Sequence, residues 1–200
     1  MRAISWIVFI ALAVSGTAVH ATTTAPIRLT ACELVSDPGR YDHAMVEVSG
    51  RVEHGFEQFD LEVTDCVSRK DIGLGVWLEY GGTRQSQTKY CCVVATGPDR
   101  QEPLVVEGIT CHLVVDDTFE RFHRLLHARG AGAVNATVVG RFFAGRKTRI
   151  NGKTFWGGFG HTGMSSLLVI EQVRDVQAAP ASPDVPVTST TAPLPPIDTD

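Results

Sequence analysis

The sequence predicts a mainly β domain: a small five-stranded barrel, one helix between its third and fourth strands, and an inserted hairpin-like segment. Three observations carry this. Apolar and polar residues alternate with period two in several short runs. A single segment near residue 120 has helical period. Glycine interrupts two of the strand-like runs, where a small barrel needs a bulge or sharp coil to close.

Taken in order, Val46, Val48 and Val52 alternate with Glu47, Ser49, Arg51 and Glu53, the pattern of a half-buried strand. Phe59, Leu61 and Val63 alternate with Asp60, Glu62 and Thr64. Leu74, Val76, Leu78 and Tyr80 line one side of a third run, with Trp77 on the other, and Gly81-Gly82 ends it. An irregular stretch to Pro103 leads into the apolar run Leu104 to Val115, the hairpin-like insertion. A helix is expected from Asp116 to about Ala128. Asp117 and Glu120 suit a capping box, Phe119, Phe122, Leu125 and Leu126 share a face, and Gly130 and Gly132 end it. Ala136 to Phe143 and Leu167 to Val176 read as the last two strands. Strands one and four share a spelling, Val48-Ser49-Gly50-Arg51-Val52 and Val138-Val139-Gly140-Arg141-Phe142.

The chain ends read differently. Arg2, the apolar run Ile4 to Val14 and the small-residue stretch closing on Val19-His20-Ala21 form the three parts of an export signal, expected over 1–21. The run falls short of the roughly 20 residues of a membrane-spanning helix. An uncleaved anchor, and a lipid attached at Cys32 in Leu29-Thr30-Ala31-Cys32, are weaker readings. An extension over 22–30, a barrel domain over 31–177 and a disordered tail over 178–200 follow. The tail's six prolines among Ala, Ser, Thr and Asp leave too little apolar surface to offset ordering entropy. The compartment is therefore periplasmic or extracellular, with no transmembrane segment in the mature chain.

Five cysteines in an exported chain favour disulfides, with one left over. Adjacent Cys91 and Cys92 fit disulfide geometry poorly. The expectation is Cys32–Cys66, with one of the adjacent pair, Cys92 as the candidate, joined to Cys111.

The succession VEVSGRV, FDLEVTD, GVWLEY, helix, ATVVGRF and LLVIEQV resembles the OB barrel, with its helix between strands three and four. The stretches ACELVSDPGRYD, RFFAG and FWGGFGHTGMSSLLVI also resemble a family of small exported bacterial proteins. The resemblance covers roughly Ala31 to Val176. It implies fold and compartment, and brings no assigned function and no catalytic residues.

Motifs for chemistry are sparse. His123 and His127 lie four apart on the helix, as zinc ligands can, but Arg124 stands where a metalloprotease has its glutamate. A metal protein or enzyme built on His123, His127 and His161 is the rival reading. Gly158, Gly160 and Gly163 spell GxGxxG, but a β-rich run follows instead of a helix, so the glycines are expected to serve a φ-positive loop around Trp156, Phe159 and His161. Cys91 or Cys92 with a histidine lacks a local signature for a nucleophile pair. No cofactor is implied.

Charge is the most informative feature left. Eleven acids and four bases lie between Glu33 and Glu79, whereas Arg121 to Ile170 holds eight bases and no acid. Arg146, Lys147, Arg149, Lys153, Phe155, Trp156, Phe159 and His161 combine bases with rings in the loop joining strands four and five, a ligand rim of OB barrels. This is the candidate ligand-binding loop. Asp60, Glu62, Asp65 and Glu79 on strands two and three would repel phosphates, which disfavours a single-stranded nucleic acid. The expected role is a non-catalytic binding or structural module, its partner a cell-envelope protein or an anionic glycan.

Overall fold

The computed structural model describes residues 25–55, 57–63, 66, 75–86, 88, 99–128, 132–150 and 153–179, without the side chains of 150, 153 and 154. The expected export signal, Cys91, Cys92 and the Pro-rich tail from 180 lie outside the described residues. None of the described helices is long and apolar enough to cross a membrane.

Ten strands and two helices follow in order. They are β1 (Ile27–Thr30), α1 (Ala31–Ser36), a 3-10 turn (Pro38–Tyr41), β2 (Met45–His54), β3 (Phe59–Leu61), β4 (Gly75–Tyr80), β5 (Val105–Val106), β6 (Ile109–Thr110), α2 (Asp117–Leu126), β7 (Gly132–Phe143), β8 (Arg146–Ile150), β9 (Lys153–Gly157) and β10 (Ser165–Ala178). The main sheet runs β1-β2-β3-β4-β10-β7 and closes through β2–β7, so β2, β3, β4, β10 and β7 form the expected OB-like barrel, with α2 between its third and fourth strands in chain order. β4 and β10 pair in parallel; the other barrel ladders are antiparallel.

Period-two alternation becomes burial directly. Val46, Val48 and Val52 of β2, Phe59 and Leu61 of β3, and Val76, Leu78 and Tyr80 of β4 point into one core. Val134, Ala136 and Val138 of β7 join them with Leu168, Ile170, Val173 and Val176 of β10. α2 adds Phe119, Phe122 and Leu126, and covers the barrel mouth where β2 ends and β7 begins. Its cap is one residue earlier than the sequence suggests: Asp116, rather than Asp117, accepts from the Phe119 amide at 2.9 Å. Glu120 is turned away to Arg84, 3.2 Å. The full capping box lies instead at α1, where Thr30 and Glu33 exchange both bonds.

Residues 27–30 are part of the sheet rather than a loose extension, because β1 pairs in parallel with β2, Ile27 opposite Val46. The two strand glycines play a different part from the one expected. The β2–β7 register runs unbroken from Met45↔Arg141 to His54↔Gly132, and the irregularities fall in β10, between Ile170 and Gln172 and between Val173 and Asp175. Gly140 is required by close approach: a Cβ there would lie 2.0 Å from the Val169 carbonyl oxygen.

Trp77, on the side of β4 opposite the main core, faces a second apolar cluster. It packs with Cys111, Phe143, Leu167 and Val169 beneath Leu104, Val106 and Ile109 of the insertion. The β5–β6 hairpin is a two-residue turn, with Glu107 and Gly108 both at positive φ, 49° and 80°. Cys111 is a free, buried thiol rather than the expected disulfide partner, packed as a small apolar side chain with its pKa raised by burial to about 11. The Cys32–Cys66 disulfide is present and ties α1 to the segment after β3 across 34 residues.

Two outcomes follow. Cys32→Ala with Cys66→Ala should lower stability by about 3–4 kcal/mol, the loop-closure entropy of such a span, measured by urea unfolding. Gly140→Ala should cost more than about 3 kcal/mol, read in the same assay, because the backbone of β10 must move to admit the methyl.

Candidate functional site

The basic and aromatic segment after β7 is a hairpin rather than an open loop. β8 and β9 pair from Arg146↔Gly157 to Ile150↔Lys153. Because opposed residues share a face, Lys147, Arg149 and Trp156 take one face while Arg146, Lys153 and Phe155 hold register positions on the other. The four bases are thus divided. Lys147 Nζ sits 5.8 Å from the centre of the Trp156 ring. That ring lies against Gly39, where a Cβ would approach it to 2.4 Å, and packs on the main core. Phe159 joins the second cluster beside Phe143, and His161 pairs with Glu57 at 3.7 Å. Gly158, Gly160 and Gly163 all take positive φ, as a tight loop requires, and Gly160 lies against the Trp77 ring. The rings serve packing more than an open stacking platform.

The outer face of β2 and β3 is acidic. Glu53 and Asp60 are opposed across β2–β3, and the Gln58 amide donates to both, at 3.2 Å to each. Arg51 donates to Glu53 at 2.8 Å and lies 3.5 Å from Glu62. Burial, with Glu53 and Glu62 nearby, raises the Asp60 carboxyl to about 6, against the Gln58 bond that lowers it. Glu79 is used structurally, accepting from the Ser86 amide and hydroxyl and pairing with Arg100 at 3.1 Å.

On the outside of β7 and β10 lies a cleft of about 670 Å³. Ile27, Met45, Val114 and Val139 give it apolar walls. Ile27 and Val114 stay 45% and 48% exposed, which is high for large aliphatic side chains. Within it Arg141 Nε and Glu171 Oε1 stand 4.0 Å apart, both buried and both without a hydrogen-bond partner among the described residues. Burial raises the Glu171 carboxyl, although Arg141 opposes the shift. Arg174 and the exposed His43 and His112 also line the cleft. His43 adopts φ 60° and meets Glu107 at 2.6 Å. With Asp42 these three bring one ligand atom each within 4.8 Å, all exposed.

The helix histidines are not a solvated face. His123 and His127 close a ring of aromatic contacts at the barrel mouth with Phe59, Tyr80 and His54. Around it the centroids are 5.3 Å (Phe59–Tyr80), 5.8 Å (Tyr80–His123), 4.2 Å (His123–His127), 4.1 Å (His127–His54) and 5.6 Å (His54–Phe59). Burial lowers the pKa of all three histidines, His127 to about 3. His161, grouped with the helix pair on sequence, pairs with Glu57 instead. His54 is the residue the motif search missed. Its signal was parity, since it continues the inward series Val46, Val48, Val52.

Comparison with protein-family models, curated proteins and solved structures gives no match. Function is therefore read from geometry.

Asp60 supplies a pH test. Its raised folded pKa means that its favourable contribution is present below about pH 4 and lost as pH rises through about 6. Asp60→Asn should stabilise the protein at pH 8 by on the order of 2 kcal/mol, with the gain vanishing near pH 4, in denaturant titrations at both values.

Proposed function

We propose that the protein is an exported, non-catalytic binding module whose cleft on β7 and β10 takes a small ligand with an apolar body and an acidic head. The observation that carries this is the pairing of apolar walls with a half-buried Arg141–Glu171 couple whose buried facing atoms lack hydrogen bonds among the described residues. A buried polar atom without a partner costs about 1–3 kcal/mol, which a ligand group that hydrogen-bonds to either atom from the side recovers. Two guanidinium groups, Arg141 and Arg174, line the cleft against one lining carboxylate, Glu171, which favours an anionic head. A volume of this size suits a drug-sized molecule.

Export is supported by the Cys32–Cys66 disulfide, a bond that persists in oxidising compartments, and by the leader-like first 21 residues. The resemblance to small exported bacterial proteins points the same way. An extended polyanion, whether anionic glycan or single-stranded nucleic acid, is less well served, because the hairpin's bases divide between two faces and Asp60, Glu53 and Glu62 line the outer face of β2 and β3.

Titration with a fluorescent fatty acid tests this reading. One saturable equivalent should bind, and Val114→Glu should weaken it at least tenfold, about 1.4 kcal/mol, while Val105→Glu, equally exposed but outside the cleft, leaves it unchanged. Absence of saturable binding, or equal binding by the Val114 variant, would remove the proposal.

A further inference from the structure

We propose that His54, His123 and His127 form a site for one divalent transition-metal ion at the barrel mouth, with His127 between the other two. Nothing in the cleft reading requires it, and the two sites share no residue.

The placement follows from two periodicities. Inward parity along β2 carries its last residue, His54, to the mouth, and one helical turn separates His123 from His127 on α2. That i, i+4 spacing sets two imidazoles on one ion in known zinc helices. Packing α2 over the mouth adds the third ring from a different element, which suits a three-protein-ligand site with an open fourth position.

The hydrogen bonds leave ligand atoms over. His54 Nε2 lies 3.1 Å from the Ser86 carbonyl oxygen, which can only accept, so this nitrogen carries the proton and Nδ1 presents a lone pair. His54 is 7% exposed, and its Nδ1 has no hydrogen-bond partner among the described residues; neither does the buried His127 Nε2. The Tyr80 hydroxyl, 3.3 Å from His123 Nδ1, orients that ring as an outer partner of a metal-bound imidazole does and leaves its Nε2 out of that contact. Buried polar atoms are normally satisfied, so two orphaned nitrogens on rings 4.1 Å apart need an explanation.

Charge agrees. Burial disfavours the charged form of all three imidazoles, and the neutral form is the one that ligates. Arg84 nearby is held by Glu120 and Asp99, at 3.2 and 3.5 Å. An all-imidazole set selects zinc, copper, nickel or cobalt over magnesium and calcium, which prefer oxygen. Metal–nitrogen bonds of about 2.0–2.1 Å require the rings to turn from their present stack about their own side-chain bonds. His123 and His127 are only half-buried, which leaves a route from solvent.

Equilibrium dialysis of the whole protein against zinc chloride, with metal analysis, tests the site. A cobalt(II) visible spectrum adds a direct view of the ligands. One equivalent should bind with nitrogen coordination, and zinc should raise Tm. His123→Asn and His127→Asn, on the half-buried side, should each weaken binding at least tenfold and abolish the Tm rise, with circular dichroism confirming that the variants fold. His43→Asn, which removes the exposed Asp42–His43–Glu107 cluster, should change neither. Sub-stoichiometric zinc, binding indifferent to both helix variants, loss with His43→Asn, or a thiolate-type cobalt spectrum would each overturn the proposal.

Discussion

A sheet of five strands closes only when its first and fourth come within ladder distance, about 4.7–4.9 Å, along enough of their length to hold against the sheet's own twist. Here the unbroken β2–β7 ladder supplies that closure, from Met45↔Arg141 to His54↔Gly132. On the other edge of β7, Gly140 lets β10 come close, since only a residue without a side chain admits the Val169 carbonyl so near. Much else follows from that ladder. Closure turns three alternating strands inward on a common core and brings His54 and Gly132 side by side at one mouth. α2 must then cover that opening with Phe119, Phe122 and Leu126.

The barrel was legible where its strands alternate, as β2 and β3 do, with one face on the core. Where that condition failed, so did the reading. Trp77 stood on the side that a simple barrel leaves to solvent, and only the fold reveals the second cluster of Cys111, Phe143, Leu167 and Val169 around it. The 146–157 hairpin was read as a loop because charge and glycine obscure its alternation. β1 is four residues long and finds its partner across the α1 turn, with no periodic signature of its own. Among the site residues, His123 and His127 were visible as a helical pair. Their partners were not, because His54 lies 69 residues before His123 and the Arg141–Glu171 couple joins two strands across a long connection. Such contacts are set by register, and register is a property of the whole sheet.

The uneven charge along the sequence has a related explanation. Acids crowd the stretch Glu33 to Glu79, while Arg121 to Ile170 carries bases alone, which suggests opposed patches. The folded chain interleaves them instead. Glu47 of β2 receives Arg28 and Arg174, Glu57 meets His161, and Arg51 serves Glu53 and Glu62 within one sheet face. Most of these groups are partly exposed, so each contact contributes little to stability. Their sum is a surface of mixed sign around these strands, while the exposed bases of the β8–β9 hairpin have no acid near them in sequence.

The second apolar cluster gives the barrel an outer panel. Gly82 N–H donates to the Cys111 carbonyl at 2.9 Å and Leu104 N–H to the Gly82 carbonyl at 2.9 Å, and Trp77, Phe143 and Val169 lie beneath. Among the described residues no covalent bond fastens the insertion to the strands it covers. Its attachment is therefore an equilibrium within the native state, separable in principle from unfolding of the barrel. Lifting the panel would bare an aromatic sheet face and a thiol together, a surface prone to self-association and to oxidative cross-linking. The hold of this covering on β4, β7 and β10 is thus what keeps that thiol and that face away from an oxidant.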